Sequence, residues 1–314
     1  MAAGLADVEP TPGAEGSAVG AEDPASGAHV AARDGTPIYV RRWPAAGEPW
    51  AAAMLVHGLA EHSGRYDRVG RQLASSGIET AALDLRGFGR SGGSRASVDR
   101  WSQLHDDLEE RIVALRAAAP NRPLVLYGHS LGALVVLGYA LDGRARPDLL
   151  VLSAPAIRAR LGLAQRLAVG GLGRIVPGLR FPNGIDPAVL ASDPAVGAAY
   201  ASDPLCVHRT TLGFGRAGFA EQRRVARGID RLAIPTLVIH GGLDRLVPPE
   251  ASRALDGRAG VTRIVYPALQ HEVHNEADGA RVVSDIVGWV RERVSRMPPG
   301  HAADDERRGP VSAA

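Results

Sequence analysis

The stretch PLVLYGHSLGALVVLGYAL, residues 123–141, limits what this chain can fold into more than any other. An apolar strand-like run reaches Gly128-His129-Ser130-Leu131-Gly132 and passes directly into a helical run. The bend from strand to helix is so sharp that side chains at the two glycines would collide, and it holds the serine in a strained backbone with its hydroxyl exposed. The helix N-terminus beneath favours developing negative charge. A glycine-flanked helix start with an incidental serine would carry the same five residues, so the assignment of Ser130 as a nucleophile depends on partners elsewhere in the chain.

Short apolar or β-branched runs alternate with helical patterns on both sides of this turn. HVAARD and PIYVRRW meet across Asp34-Gly35; AAAMLVHG, IETAALDL, PLVLYGHS, DLLVLSA, PTLVIHGG and VTRIVYPA follow, giving eight strands. Helix-like stretches begin near Arg65, Arg100, Leu131, Pro248 and Gly279. The alternation predicts an α/β fold with a mostly parallel eight-stranded sheet, helices on both faces and an antiparallel edge made by the first two strands. Between Pro155 and about Arg231 no convincing strand is found, only apolar stretches broken by Gly171, Pro177, Pro182, Pro187 and Pro204. Residues 156–230 are therefore expected to form a helical cap inserted into a core of residues 28–155 and 231–297, overhanging the carboxyl ends of the strands where such sheets bind ligands. Residues 1–27 and 298–314, rich in Ala, Gly, Pro and Glu without periodicity, read as disordered tails.

Composition excludes several functions. The 36 basic residues, all arginine, nearly balance 34 acidic ones, too evenly for a nucleic-acid footprint. The absence of lysine removes Schiff-base chemistry and leaves DLRGFGRSGG (residues 84–93) without the G-K-[ST] ending of a phosphate loop. A single cysteine, Cys206, permits no internal disulfide and no thiolate cluster, and neither a metal nor a cofactor is expected. The N-terminal stretch lacks a signal-peptide pattern and no long uncharged apolar run suggests a membrane span, which points to a cytoplasmic protein, peripheral to membranes at most.

A serine hydroxyl needs a base to take its proton and a carboxylate to fix that base, in the chain order Ser, Asp, His. Asp244 lies in the loop after PTLVIHGG and His271 in the loop after VTRIVYPA, so one helix and one strand separate them. Asp230 precedes its strand and would lie at the wrong end of the sheet. His57 and His129 are tied to backbone turns and His240 ends a strand; His274 is the serious rival, and His271 is preferred because it comes earlier in its loop, before the helical stretch. Acyl transfer also needs two backbone N–H donors for the oxyanion, expected from Leu131 and from Leu59 in the loop after the third strand.

With HGLAEHSGRY, DLRGFGRSGG, GHSLG, YASDPL, GGLDRLV and HEVHNE in place, the chain from about residue 28 to 295 resembles the monoacylglycerol lipase family of α/β-hydrolase serine hydrolases. The resemblance implies the α/β-hydrolase fold, a triad of Ser130, Asp244 and His271, oxyanion donors at Leu59 and Leu131, and a polar pocket for glycerol at Glu61, Arg65, Tyr200 and His274. It also implies a small lipid substrate. The segment from Arg158 to Arg180 matches that family only in character. It places Leu161, Ala164, Ala168, Leu172, Ile175 and Leu179 at near-helical spacing and carries arginines without any acidic residue. This suits transient contact with an anionic membrane surface, or equally a lid with solvated arginines. Lysophospholipase, broad carboxylesterase and peptidase activities stay open, since a triad fixes acyl transfer and says little about the leaving group. A dehalogenase or epoxide hydrolase would carry an aspartate at position 130, and a non-enzymatic binding protein on this fold would be expected to have a damaged triad.

Overall fold

The computed structural model describes residues 26–158 and 168–298. Leu161 and Ala164 of the cap, and nearly all of both expected tails, lie outside them. The central sheet has eight strands in the order β1-β2-β4-β3-β5-β6-β9-β10, formed by Ser26–Ala31, Pro37–Trp43, Ala51–Val56, Ile78–Leu83, Leu124–His129, Leu149–Ser153, Thr236–Gly241 and Val261–Tyr266 for β1 to β6, β9 and β10. β1 and β2 are the antiparallel edge and the six strands from β4 to β10 run parallel. The first strand starts at Ser26, inside the segment expected to be a tail.

Strand alternation builds two apolar layers. Met54, Leu126, Leu150 and Val238 face one side, and Leu55, Val125, Val151 and Leu237 the other. Helices α2 (Ser102–Ala118), α3 (Leu131–Ala140) and α5 (Leu212–Gly228) cover the first layer; α1 (Asp67–Ser75) and α6 (Gly279–Ser295) cover the second. Every residue of α3 from Leu131 to Tyr139 is buried, so the helix that begins at Ser130 is held from all sides. This arrangement is the α/β-hydrolase fold. The helix expected after Pro248 is a 3-10 segment, Pro249–Leu255.

The cap departs from expectation in having strands. Arg180–Pro182 (β7) pairs antiparallel with Arg209–Thr211 (β8), and α4 (Pro194–Ser202) lies between them. The strands were hidden because each is only three residues long and carries no alternation, and because Pro182 sits inside one of them. The last helix of the expected cap, α5, packs on α3 and sends Phe214 and Val225 into the main core. Among the described residues no helix is long and apolar enough to cross a membrane.

Candidate active site

Ser130 has φ 51° and ψ −113°, a conformation that L residues rarely adopt. Its N–H donates to the Ser153 carbonyl at 2.8 Å, and its carbonyl accepts from Ala156 N–H at 3.1 Å, so β6 pins the strained turn from both sides. A Cβ on Gly128 would stand 2.5 Å from the Gly132 carbonyl, and one on Gly132 would collide with the Val56 and His57 carbonyls. The pentapeptide thus owes both glycines to close backbone approach.

At the end of β9, Asp244 accepts N–H bonds from Leu246 and Val247 through Oδ1, at 2.9 and 2.8 Å. Its other oxygen, Oδ2, lies 2.7 Å from His271 Nδ1. Burial raises the Asp244 carboxyl, but N–H groups of His240 and His271 outweigh it and hold the group at about 2. A carboxylate can only accept, so Nδ1 carries the hydrogen and the lone pair of His271 is on Nε2. His271 and Ser130 line the same cavity. His274 has no such partner: neither ring nitrogen is hydrogen-bonded, the ring stacks on Tyr66 at 5.0 Å between centroids, and burial pushes its pKa down to about 3.

Leu59 and Leu131, the expected oxyanion donors, line this cavity. Their loop is set by His57, whose Nδ1 lies 2.7 Å from the Gly58 carbonyl while Nε2 accepts from Leu85 N–H at 2.9 Å. Gly58 N–H donates to Glu61 Oε1 at 2.6 Å, and a Cβ on Gly58 would lie 3.4 Å from that of Ser130.

Behind the serine runs a buried chain of charge. Arg65 donates to Glu61 through Nε at 3.0 Å and to both oxygens of Glu272 through Nη2 at 2.8 and 2.7 Å, and its guanidinium sits over the Tyr200 ring at 5.3 Å. Burial would raise Glu61, yet the Arg65 charge holds it below the ordinary range; for Glu272 burial wins and its pKa is raised. Glu61, Glu272 and Tyr200 line the cavity, whereas Arg65 and His274 are not among its lining residues. This corrects their expected place as pocket walls: the guanidinium is taken up by two carboxylates, and the imidazole by stacking.

Glu272 and Glu276 are functional positions that sequence reasoning missed. Glu276 accepts from Gln270 N–H at 2.8 Å and Ser192 N–H at 3.0 Å, tying the His271 loop to the cap. The available signal was the run HEVHNE itself, three acidic or imidazole groups in one loop beside the base.

The cavity of about 340 Å³ is walled mainly by apolar side chains from core and cap, among them Leu134, Val169, Phe181, Leu190, Phe214 and Leu246. One group of potential metal ligands occurs among the described residues: His62, Asp203 and Cys206 bring ligand atoms within 4.8 Å of one another. His62 Nε2 already pairs with Asp203 at 2.8 Å, and burial pushes the Cys206 thiol up to about 12, so the thiol stays protonated.

An α/β-hydrolase sheet with a strained serine at the elbow, lining a mainly apolar cavity, defines a class: this chain is a serine ester hydrolase. The model of the family described as serine aminopeptidase, S33, matches residues 47–278. A monoacylglycerol lipase of Mycolicibacterium smegmatis is 34% identical over 254 residues, covering 79% of this chain and 90% of the relative. The human monoglyceride lipase is 29% identical, over 85% of this chain and 91% of its own. The crystal structure of the Paleococcus ferrophilus monoacylglycerol lipase aligns with a TM-score of 0.72 at 29% identity, over 83% of this chain and 99% of that one. The chain belongs to the serine aminopeptidase S33 family and to the monoacylglycerol lipase family that its motifs resemble.

Proposed function

We propose that this enzyme hydrolyses monoacylglycerols to fatty acid and glycerol through an acyl-enzyme on Ser130. His271 Nε2 takes the proton of Ser130 Oγ as that oxygen attacks the ester carbonyl, and Asp244 holds the opposite ring nitrogen and stabilises the imidazolium. The N–H groups of Leu59 and Leu131 receive the oxyanion. When the tetrahedral intermediate collapses, His271 gives its proton to the departing glycerol oxygen. Water then attacks the acyl carbonyl as it gives a proton to the same nitrogen; collapse breaks the bond to Ser130 Oγ, which takes that proton back, and the fatty acid leaves.

One observation carries the substrate class: a buried Glu61–Arg65–Glu272 chain borders a cavity walled mainly by apolar groups. An acyl chain fits the apolar walls. Glu61 and Glu272 supply acceptors for alcohol hydroxyls, with Tyr200 beside them, Arg65 supporting the carboxylates from behind and His274 packed on Tyr66. A substrate with further acyl chains would bring hydrocarbon against these carboxylates and forgo the hydroxyl bonds, at about 1–3 kcal/mol for each charge-assisted bond not made. The printed names of several relatives, monoacylglycerol or monoglyceride lipases, agree with this reading.

The division into a core of residues 28–155 and 231–297 with a cap over 156–230 is part of the same proposal, the cap acting as the roof of the acyl site. Leu172, Ile175, Val176 and Leu179 are exposed on it next to Arg174 and Arg180. These side chains support transient seating on an anionic lipid surface at the cytoplasmic face. The test is a panel of mono-, di- and triacylglycerols, a lysophospholipid and an aminoacyl nitroanilide, each with the wild type and Ser130→Ala. The monoacylglycerol is expected to be hydrolysed fastest, with a fluorophosphonate adduct on the peptide containing Ser130. Faster turnover of triacylglycerol, lysophospholipid or nitroanilide overturns the substrate class, and an adduct on another residue overturns the mechanism.

A further inference from the structure

Beneath Asp244 lies a second histidine. His240, next to last in β9, has no exposed surface. Its Nε2 is 2.7 Å from the Val247 carbonyl and 3.2 Å from Asp244 Oδ2. A carbonyl only accepts, so Nε2 carries a hydrogen, and that hydrogen faces the carboxylate as well. Nδ1 lies 3.0 Å from Ser252 Oγ, which itself accepts from Arg263 Nε at 2.9 Å. The Pro249 carbonyl, 3.0 Å from Ser252 Oγ, already accepts from Arg263 Nη2 at 2.8 Å. The Ser252 hydroxyl stands between two acceptors, the Pro249 carbonyl and His240 Nδ1, each at 3.0 Å, so Nε2 is the donor side of the ring and Nδ1 its acceptor side. The result is a line of polar contacts, Arg263, Ser252, His240 and Asp244, ending on the oxygen that also receives His271 Nδ1–H.

We infer that His240 is a positioning residue for proton transfer at His271: it keeps Asp244 Oδ2 turned toward that ring and takes up part of the charge on the oxygen. The inference rests on the proposed triad. Without His240, Asp244 is held only by the Leu246 and Val247 amides on Oδ1, so Oδ2 is freer to turn away and carries more uncompensated charge. Misplacing the carboxylate lowers kcat, and the added charge stabilises protonated His271, moving the acid limb of the kcat/KM profile to higher pH. The other titratable or charged groups around this pair are His129, whose ring centroid is 4.7 Å from that of His271, with His274, Glu61 and Arg65 behind it. They are unchanged in the variants below.

The experiment measures kcat, KM and the pH profile for a soluble nitrophenyl ester with His240→Leu, His240→Gln and Ser252→Ala. His240→Leu is expected to lower kcat about tenfold, less than the hundredfold that follows a 1 Å misplacement, with KM unchanged and the acid limb shifted upward. His240→Gln, whose amide N–H can face the same two acceptors, restores most of kcat. Ser252→Ala, which removes the contact at Nδ1, shifts the limb in the same direction by less. A folded His240→Leu enzyme with wild-type kcat and limb overturns the inference, and so do equal losses in the Leu and Gln variants with an unmoved limb, which would mark a packing role. If His240→Leu does not fold, an unmoved limb in Ser252→Ala is decisive against it. Full activity in His271→Ala would instead remove the triad reading itself.

Discussion

The core and the cap are built on opposite plans. In the core, β3, β5, β6 and β9 are buried along their whole length, and each strand feeds two apolar layers by simple alternation. In the cap, an apolar cluster of Leu190, Tyr200 and Cys206 is completed by Leu246 from the loop that carries Asp244. Its backbone leans on core loops: Val207 N–H donates to Ala60 at 2.9 Å, Thr211 N–H to Ala96 at 3.2 Å, and Leu190 accepts from Glu272 N–H at 2.7 Å. The difference teaches where precision resides: reacting groups stand on strand ends that packing fixes, while the roof takes its shape from the loops around those groups.

The sharpest test of that contrast is chemical. Ser130→Ala and His271→Ala should each lower kcat on a nitrophenyl ester by about 10⁵ to 10⁶, and Asp244→Asn by about 10⁴, with melting curves retained. Loss of folding in Ser130→Ala would show that the elbow is held by its hydroxyl and not by its backbone.

Stability separates the regions next. Arg65 stands at the seam, side-chain exposure 8%, between carboxylates exposed by 5% and 3%. Arg65→Ala leaves both buried charges unpaired and should remove about 3–5 kcal/mol in urea unfolding. Arg180→Ala, on the exposed cap strand, should change stability by less than about 0.5 kcal/mol. Equal effects would abolish the distinction between seam and surface.

Acid sharpens it further. Burial pushes the His274 imidazole from its ordinary 6.5 down to about 3, so the folded state keeps it neutral. This group's stabilisation is fully present above the unfolded value and is lost as pH falls through the window between the two, by about 1.4 kcal/mol per pH unit. Asp244, held at about 2 against 3.8, adds its own loss only below the latter value. In urea unfolding at neutral and mildly acid pH, His274→Phe should therefore lose less stability on acidification than the wild type does, the residual slope coming from His57 and His129, which burial also holds down. An unchanged slope would place the acid sensitivity elsewhere.

The smallest effect belongs to the outer cap. Ile175 and Leu179 are 78% and 52% exposed. Replacing both with serine should leave melting and hydrolysis of a dissolved ester within about 0.5 kcal/mol of wild type while reducing co-sedimentation with anionic lipid vesicles severalfold. Unreduced sedimentation would remove this face from the membrane reading.

Much of this was legible in the chain. Short apolar or β-branched runs located all eight strands of the sheet, and the elbow pentapeptide predicted the strained turn, because strand-length apolar runs and glycines at a tight bend act locally. The loops that would carry Asp244 and His271 followed from chain order. The cap strands β7 and β8 were not legible, since three-residue strands have no period to read. Glu272 was passed over because an acidic residue in a loop is ordinarily exposed, and its burial depends on Arg65, far away in sequence.

The sequence by itself determined which atoms are available: one serine between two glycines, an aspartate and several histidines on loops after parallel strands, and no lysine anywhere. The tertiary structure adds which histidines meet the carboxylate. Asp244 can present Oδ2 to His271 at 2.7 Å and to His240 at 3.2 Å because β9 and β10 run side by side, while His274 is turned against Tyr66. Hydrogen bonds discriminate over tenths of an ångström, and separations along the chain carry no information at that scale.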